Sequence, residues 1–314
     1  MTNGTNANRP RIGIALGGGA ARGWAHLGVL RWLREHDLYP DIISGTSIGA
    51  LVGAAAAAET LDEMETWARA LTWQDVLSYL DVSFGGGLIS GKRLFQYFET
   101  QLPDRDIQDL QRPFGTVATE LASGQEVWFR DGPMYRAVRA SVALPGLMTP
   151  VKVDEQWLVD GGLVNPVPVS LCRALGAERV IAVDLNADLL SHRAADMQTA
   201  YGNHRLDKAL NRLQELPWLS LLGEGLLTKT QQWVNDFKRD SEALPSLVDV
   251  LTQSVYIMQM RITRARMAGD PPDILLAPKL GHIRLVEFHR AAEAIEAGYR
   301  CADAAGAAIL EKLR

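Results

Sequence analysis

Asp41-Ile42-Ile43-Ser44-Gly45-Thr46-Ser47-Ile48-Gly49-Ala50-Leu51 is the stretch on which the reading of this chain turns. The apolar pair Ile42-Ile43 runs into a Gly-x-Ser-x-Gly turn, and an alanine-rich segment with helical character follows as far as Ala58. Glycines on both sides of a serine remove the side chains that would collide in a sharp strand-to-helix reversal, which leaves the hydroxyl exposed at the turn. The helix behind the turn supplies a field that favours negative charge, so Ser47 is a candidate nucleophile. The same serine also reads as a helix N-cap in a tight turn.

The residues before this unit repeat its design. Ile12 to Leu16 form a short apolar run that ends in Gly17-Gly18-Gly19, and a helical pattern follows through Trp24, Leu27, Leu30, Trp32 and Leu33. Two strand–turn–helix units in tandem indicate an α/β fold with a parallel sheet. Backbone N–H groups in the turn from Gly17 to Gly23, at a helix start, can gather a developing oxyanion. A pyrophosphate cradle is the competing reading. It is disfavoured because the glycine spacing is one residue longer than the dinucleotide fingerprint and because Asp41 begins the following strand instead of ending it.

Downstream, the pattern predicts a helix over 61–80, a break at Gly85-Gly86-Gly87 and a second helix over 91–102. A hairpin of 114–121 with 125–129 and a helix over 134–142 come next, the latter stopping at Leu144-Pro145-Gly146. A further hairpin, 151–153 with 157–159, delivers Asp160-Gly161-Gly162 at its far end. A helix over 166–175 and a buried strand over 179–185 complete a catalytic α/β core, 12–185. The organisation expected is a disordered leader, 1–11, and one domain, 12–314. In that domain a helical insertion, 186–267, separates the core from a C-terminal strand and long helix, 268–314, with the strand at 274–276 and the helix over 286–313.

A nucleophilic serine needs a base. The six histidines, at 26, 36, 192, 204, 282 and 289, are scattered; His26 and His36 on the first helix read as surface or interface side chains. Asp160 ends an apolar strand and precedes two glycines, a place where loops build sites, although Asp-Gly is also ordinary turn chemistry. A serine–acid–histidine triad of Ser47, Asp160 and His282 or His289 has the right order for an α/β-hydrolase. That fold places its elbow after several strands, whereas about two fit before residue 47 here.

The sequence of 314 residues carries 37 acidic and 32 basic residues, a net charge of −5 that is too mild and mixed for tracking nucleic acid. Cys172 and Cys301 form neither a disulfide framework nor a zinc pattern, and no metal or organic cofactor is implied. The longest uncharged stretch, 42–58, is shorter than the roughly 20 residues a membrane span needs, and the N-terminus lacks the apolar core of a signal peptide. A cytoplasmic protein is expected, at most peripheral to the inner face of the membrane. Residues 216–238, with Trp218, Trp233, Phe237 and several leucines, suit a lid or a monolayer contact, or packing on the core or on another subunit of a homo-oligomer.

Four ordered elements together resemble the patatin-like phospholipases: the turn Gly17 to Gly23, Gly-x-Ser-x-Gly at 45–49, Ala140-Ser141-Val142-Ala143-Leu144-Pro145-Gly146, and Asp160-Gly161-Gly162. Residues 267–275 and Phe288-His289-Arg290-Ala291 are similar to the bacterial RssA-type members. The resemblance implies a sheet of mostly parallel strands flanked by helices, a lipid or acyl-ester substrate and a serine–aspartate dyad. Ser47 would be the nucleophile, Asp160 the base, and Gly17, Gly18 and Gly19 the oxyanion turn with Arg22 as a supporting cation. The turn carries one residue more than the shorter form Gly-x-Gly-x-x-Gly, which leaves open which amides face the oxyanion. A regulatory or scaffold protein that keeps the fold without catalysis is the alternative class.

Overall fold

The structure is a computed structural model that describes residues 9–79, 105–145, 148–189 and 247–313. Its centre is an eight-stranded sheet in the order β5-β6-β3-β2-β1-β7-β8, with β4 paired to β3 beside that path. The strands are β1 Ile12–Leu16, β2 Ile42–Thr46, β3 Phe114–Glu120, β4 Glu126–Phe129, β5 Val151–Val153, β6 Gln156–Asp160, β7 Arg179–Val183 and β8 Ile274–Leu276. β3, β2, β1, β7 and β8 run parallel, while β4, β5 and β6 form antiparallel ladders around β3. The chain divides into two compact units, Met1–Leu189 with Val255–Arg314, and Leu190–Ser254.

Period-two alternation places both faces of the central strands in apolar surroundings. Ile12, Ile14 and Leu16 of β1 and Ile181 and Val183 of β7 belong to a large cluster with α1 Ala25–Glu35, α2 Ile48–Ala57 and α8 Ala291–Ala304. Ala15, Val180 and Ala182 face the other way, against Val169 and Cys172 of the short helix α6 Val169–Ala174. Among the described residues no helix is long and apolar enough to cross a membrane.

Several boundaries differ from the sequence reading, each for a local reason. The helix expected over 61–80 is two helices, α3 Leu61–Ala70 and α4 Trp73–Tyr79. Leu71 turns extended, and Thr72 then caps α4 reciprocally: Asp75 N donates to Thr72 Oγ1 (3.2 Å) and Thr72 N donates to Asp75 Oδ2 (2.8 Å). The helix expected over 286–313 becomes a 3₁₀ turn at Phe288–Arg290, then α8, then α9 Gly306–Leu313. Trp24 Nε1 donates to the Phe288 carbonyl (3.1 Å), Trp32 Nε1 donates to Asp303 (3.1 Å), and Gly306 lies against the Trp32 ring, so the chain bends around two buried indoles. The helix expected over 166–175 starts only at Val169, after Pro166 and Pro168, and the strand expected over 179–185 stops at Val183. The leader's last residues are held: Arg9 pairs with Asp41 (2.6 Å) and Arg11 N donates to Glu178 (2.7 Å). Residues 1–8, the glycine break at 85–87, the helix expected over 91–102, Gly146 and most of the insertion, including 216–238, lie outside the described residues. Helix α7 Leu247–Gly269 closes the insertion and α5 Met134–Ser141 lies where a helix was expected.

Helices α1 and α8 cross at two glycines. A β-carbon on Gly28 would overlap the Ile295 carbonyl oxygen, and one on Gly298 would overlap that of Ala25, so the two backbones touch with nothing between them. Gly298→Val is therefore expected to cost about 1–3 kcal/mol through overpacking. Gly269→Ala, where no heavy atom stands within 4 Å, is expected to change stability by less than about 0.5 kcal/mol. Denaturant titration of the two variants side by side checks the pair.

Candidate active site

The site is assembled along one edge of β3. β4 pairs with Thr116 to Thr119 of that strand and so occupies one edge. β2 pairs through Thr46 with Val117, and β6 pairs through Asp160 with Ala118. A strand position has one neighbour on each edge, so β2 and β6 must share the edge that β4 leaves. β2 runs parallel to β3 and β6 antiparallel, so their C-terminal ends meet head-on at adjacent rungs.

Ser47, the next residue after β2, is thereby brought to Asp160, the last residue of β6. Ser47 Oγ donates to Asp160 Oδ2 at 2.5 Å. Ser47 has φ 57 and ψ −127, a left-handed conformation that a non-glycine residue adopts only where its surroundings hold it. The flanking glycines are dictated by space: a β-carbon on Gly45 would overlap the Gly49 backbone, and one on Gly49 would overlap the Leu16 carbonyl.

Asp160 is buried, and its second oxygen accepts the Gly162 N–H (2.6 Å). Burial pushes its carboxyl up to about 6 against the opposing pull of the Ser47 and Gly162 hydrogen bonds. The segment 140–145 grips both members. Ser141 Oγ accepts the Ser47 N–H (2.9 Å), and the Ala143 carbonyl accepts the Asp160 N–H (3.0 Å). Sequence reasoning quoted this segment for its resemblance without giving Ser141 a part; a buried serine inside a short motif was the available signal.

The glycine turn lies against the nucleophile, since a β-carbon on Gly18 would stand 3.3 Å from that of Ser47. Two of the amides expected at the oxyanion are engaged elsewhere: Gly17 N donates to Val183 O (3.0 Å) and Gly18 N to Pro166 O (2.9 Å). The N–H groups of Gly19, Ala20 and Ile48 make no hydrogen bond to another described residue. Arg22 is fully buried; its Nε donates to the Gly19 carbonyl (3.1 Å) and its guanidinium stacks over the Tyr256 ring (4.8 Å).

The histidines stand apart from the carboxylate. His282 pairs with Glu293 (2.7 Å), His289 meets Trp73 edge-on, and His36 stacks on Trp32. His26, expected at a surface or interface, is buried, with Nε2 2.8 Å from the Gly17 carbonyl. His192 and His204 lie outside the described residues. Among the described residues no group of histidine, cysteine and acidic side chains could hold a metal ion.

The family model described as Patatin-like phospholipase matches residues 14–173, which contain the glycine turn, the elbow and Asp160. The chain belongs to the patatin-like phospholipase family. An uncharacterized NTE family protein of Mycobacterium tuberculosis is 32% identical over 93% of this chain and 90% of its own length. The human patatin-like phospholipase domain-containing protein 6 is 28% identical over 92% of this chain and 20% of its own. VipD from Legionella pneumophila superposes with a TM-score of 0.53 at 12% identity, covering 94% of this chain and 67% of that one, a likeness of fold. These relatives carry the NTE and patatin-like names, so the family is established at that level and not at that of the RssA-type members. Membership places the chain among enzymes that hydrolyse lipid esters.

With Asp160 as the base expected from the sequence, and a base having to be ionised to accept a proton, kcat/KM toward a soluble ester is expected to fall about tenfold per pH unit below pH about 6. A pH–rate profile that stays flat to pH 5 would contradict the assignment. Stability should move the other way. A folded-state pKa raised above the ordinary 3.8 gives a contribution that is complete below pH about 4 and lost as pH rises through about 6. Asp160→Asn should accordingly melt above the wild type at pH 7.5, with the gap closing toward pH 4 in paired calorimetric scans.

Proposed function

We propose that the protein is a serine lipid acyl hydrolase, a phospholipase-type carboxylesterase, working through a Ser47–Asp160 dyad and an acyl-enzyme. The observation that carries this reading is the direct 2.5 Å hydrogen bond from the hydroxyl of a strained elbow serine to a buried carboxylate. Asp160 Oδ2 takes the Ser47 proton as Oγ attacks the ester carbon, and the carbonyl electron pair moves onto oxygen. The amides of Gly19, Ala20 and Ile48 are the donors available to that oxyanion, in place of those of Gly17 and Gly18. On collapse the protonated Asp160 passes its proton to the leaving alkoxide. In the second half water loses a proton to Asp160, attacks the acyl carbon, and the proton returns to Ser47 as the fatty acid departs.

A carboxyl near 6 suits both halves, being ionised enough at neutral pH to accept and acidic enough once protonated to donate. No imidazole stands between the two groups, so orientation of Asp160 falls to the Gly162 amide and to burial. Lipid as substrate follows from the family; contact with a membrane surface and self-association are carried forward from the composition of 216–238.

An alkyl fluorophosphonate should label the wild type at Ser47 and leave Ser47→Ala unlabelled. Ser47→Ala and Asp160→Asn should each lower p-nitrophenyl ester turnover by roughly 10⁴-fold while unfolding cooperatively. A folded Ser47→Ala protein with wild-type turnover would remove the dyad, and an unlabelled, inactive wild type would favour a scaffold role.

A further inference from the structure

Three successive carbonyls of the glycine turn are each held by a side chain from a different part of the chain. Gly17 O accepts from His26 Nε2 on α1 (2.8 Å), Gly18 O from Asn186 Nδ2 in the loop after β7 (3.3 Å), and Gly19 O from Arg22 Nε (3.1 Å). In a trans peptide the N–H points opposite the C=O of the same unit, so fixing the carbonyls of Gly18 and Gly19 fixes the directions of the Gly19 and Ala20 amides. These are two of the amides that make no hydrogen bond to another described residue. We infer that Asn186 and His26 are positioning residues for the oxyanion turn: Asn186, through the Gly18 carbonyl, aims the Gly19 amide at the oxyanion of the tetrahedral intermediate, and His26, through the Gly17 carbonyl, fixes with Pro166 O the base of the turn from which that amide projects. The inference rests on the serine-hydrolase reading and adds to it two residues that touch no substrate atom.

The chemistry of each anchor supports this. A carbonyl only accepts, so His26 Nε2 must carry the proton. Complete burial holds the imidazole neutral, its pKa pushed down to about 4, and a neutral ring is a donor whose state does not change across the working pH range. His26 does not reach Asp160, whose carboxylate is occupied by Ser47 and Gly162. Asn186 is buried: its main-chain N–H donates to Asp184 Oδ1 (2.9 Å), which holds the backbone, and its side-chain Nδ2 also reaches Gln259 Oε1 on α7 (3.4 Å). A side-chain amide fixed in this way presents its N–H to Gly18 O with little orientational freedom left to lose.

A merely structural role and a positioning role separate on the transition state. The test uses the full chain, a soluble p-nitrophenyl ester and an alkyl trifluoromethyl ketone. Ser47 Oγ adds to the ketone carbon, its proton passes to Asp160, and the ketone oxygen becomes the tetrahedral oxyanion. His26→Phe keeps an aromatic ring without a donor, and Asn186→Leu keeps the volume without the amide. Each is expected to lower kcat about 10- to 100-fold with KM changed less than about twofold, and to weaken the ketone by the same factor as kcat/KM. His26→Gln, which restores a donor, is expected to recover most of the loss.

Folded His26→Phe or Asn186→Leu protein with wild-type kcat and wild-type ketone affinity would overturn the inference. So would equal losses in His26→Phe and His26→Gln, which would mean that ring packing and not the hydrogen bond is what matters. Should His26→Phe melt below the assay temperature, Asn186→Leu and His26→Gln decide on the same readouts. Failure of the hydrolase reading is recognised separately, by a wild type that takes up no fluorophosphonate label.

Discussion

Two strands compete for one edge of β3, and the rest of the site depends on how they share it. β4 closes the opposite edge, so β2 and β6 must be laid end to end, their last residues on the rungs of Val117 and Ala118. That collision delivers a serine and an aspartate 113 residues apart in sequence to hydrogen-bonding distance without help from a loop. It also sets their surroundings. A residue at the end of an inner strand is covered on both faces, which is why Asp160 is buried while Ser47, one step beyond its own strand, keeps partial access. A sheet edge is a stiff support, and the proposed serine–aspartate pair is held on one.

Burial of the carboxylate has opposing consequences for stability and chemistry. Desolvation disfavours the charged form and moves the group toward neutral pH, the range the proposed base and acid roles call for. The same desolvation is a standing cost to the folded state above that pH, tempered by the Gly162 amide and the Ser47 hydroxyl. The strained φ of Ser47 is a second local cost. Both are offset in the two apolar clusters that sandwich the sheet and in the close crossing of α1 over α8, well away from the reacting atoms. This is the usual division between a rigid, over-determined scaffold and a site that is locally unfavourable.

The polar groups of the glycine turn are distributed with the same economy. Every carbonyl from Gly17 to Gly19 has a side-chain donor, and the amides of Gly17 and Gly18 are absorbed by neighbouring backbone. What remains among the described residues is a small set of amides beside Ser47, the arrangement the proposed oxyanion would use. Asn165 extends the bracing to the elbow: its carbonyl accepts from Thr46 Oγ1 (2.8 Å) while its side chain donates to Glu126 (2.7 Å), which in turn meets Arg266 of α7.

The sequence by itself determined those features whose cause is local. A serine between two glycines after a short apolar run can hardly be anything but a tight turn, because sterics over five residues dictate it, and the strand–turn–helix alternation was legible for the same reason. Both hairpins were legible too, from β-branched runs around turn residues. The helix ends at Leu71 and Ala305 were not. The apolar periodicity continues across them, and only a reciprocal cap at Thr72 and the packing of Gly306 on Trp32 break it. Asp160 stood out in the sequence by its strand end and by the resemblance, but its meeting with Ser47 was decided by tertiary structure, since it follows from rung pairing between segments distant in the chain. Tertiary structure alone decided that His26 is buried, because the packing of α1 turns that ring to the Gly17 carbonyl while Arg34 and Glu35 of the same helix stay exposed.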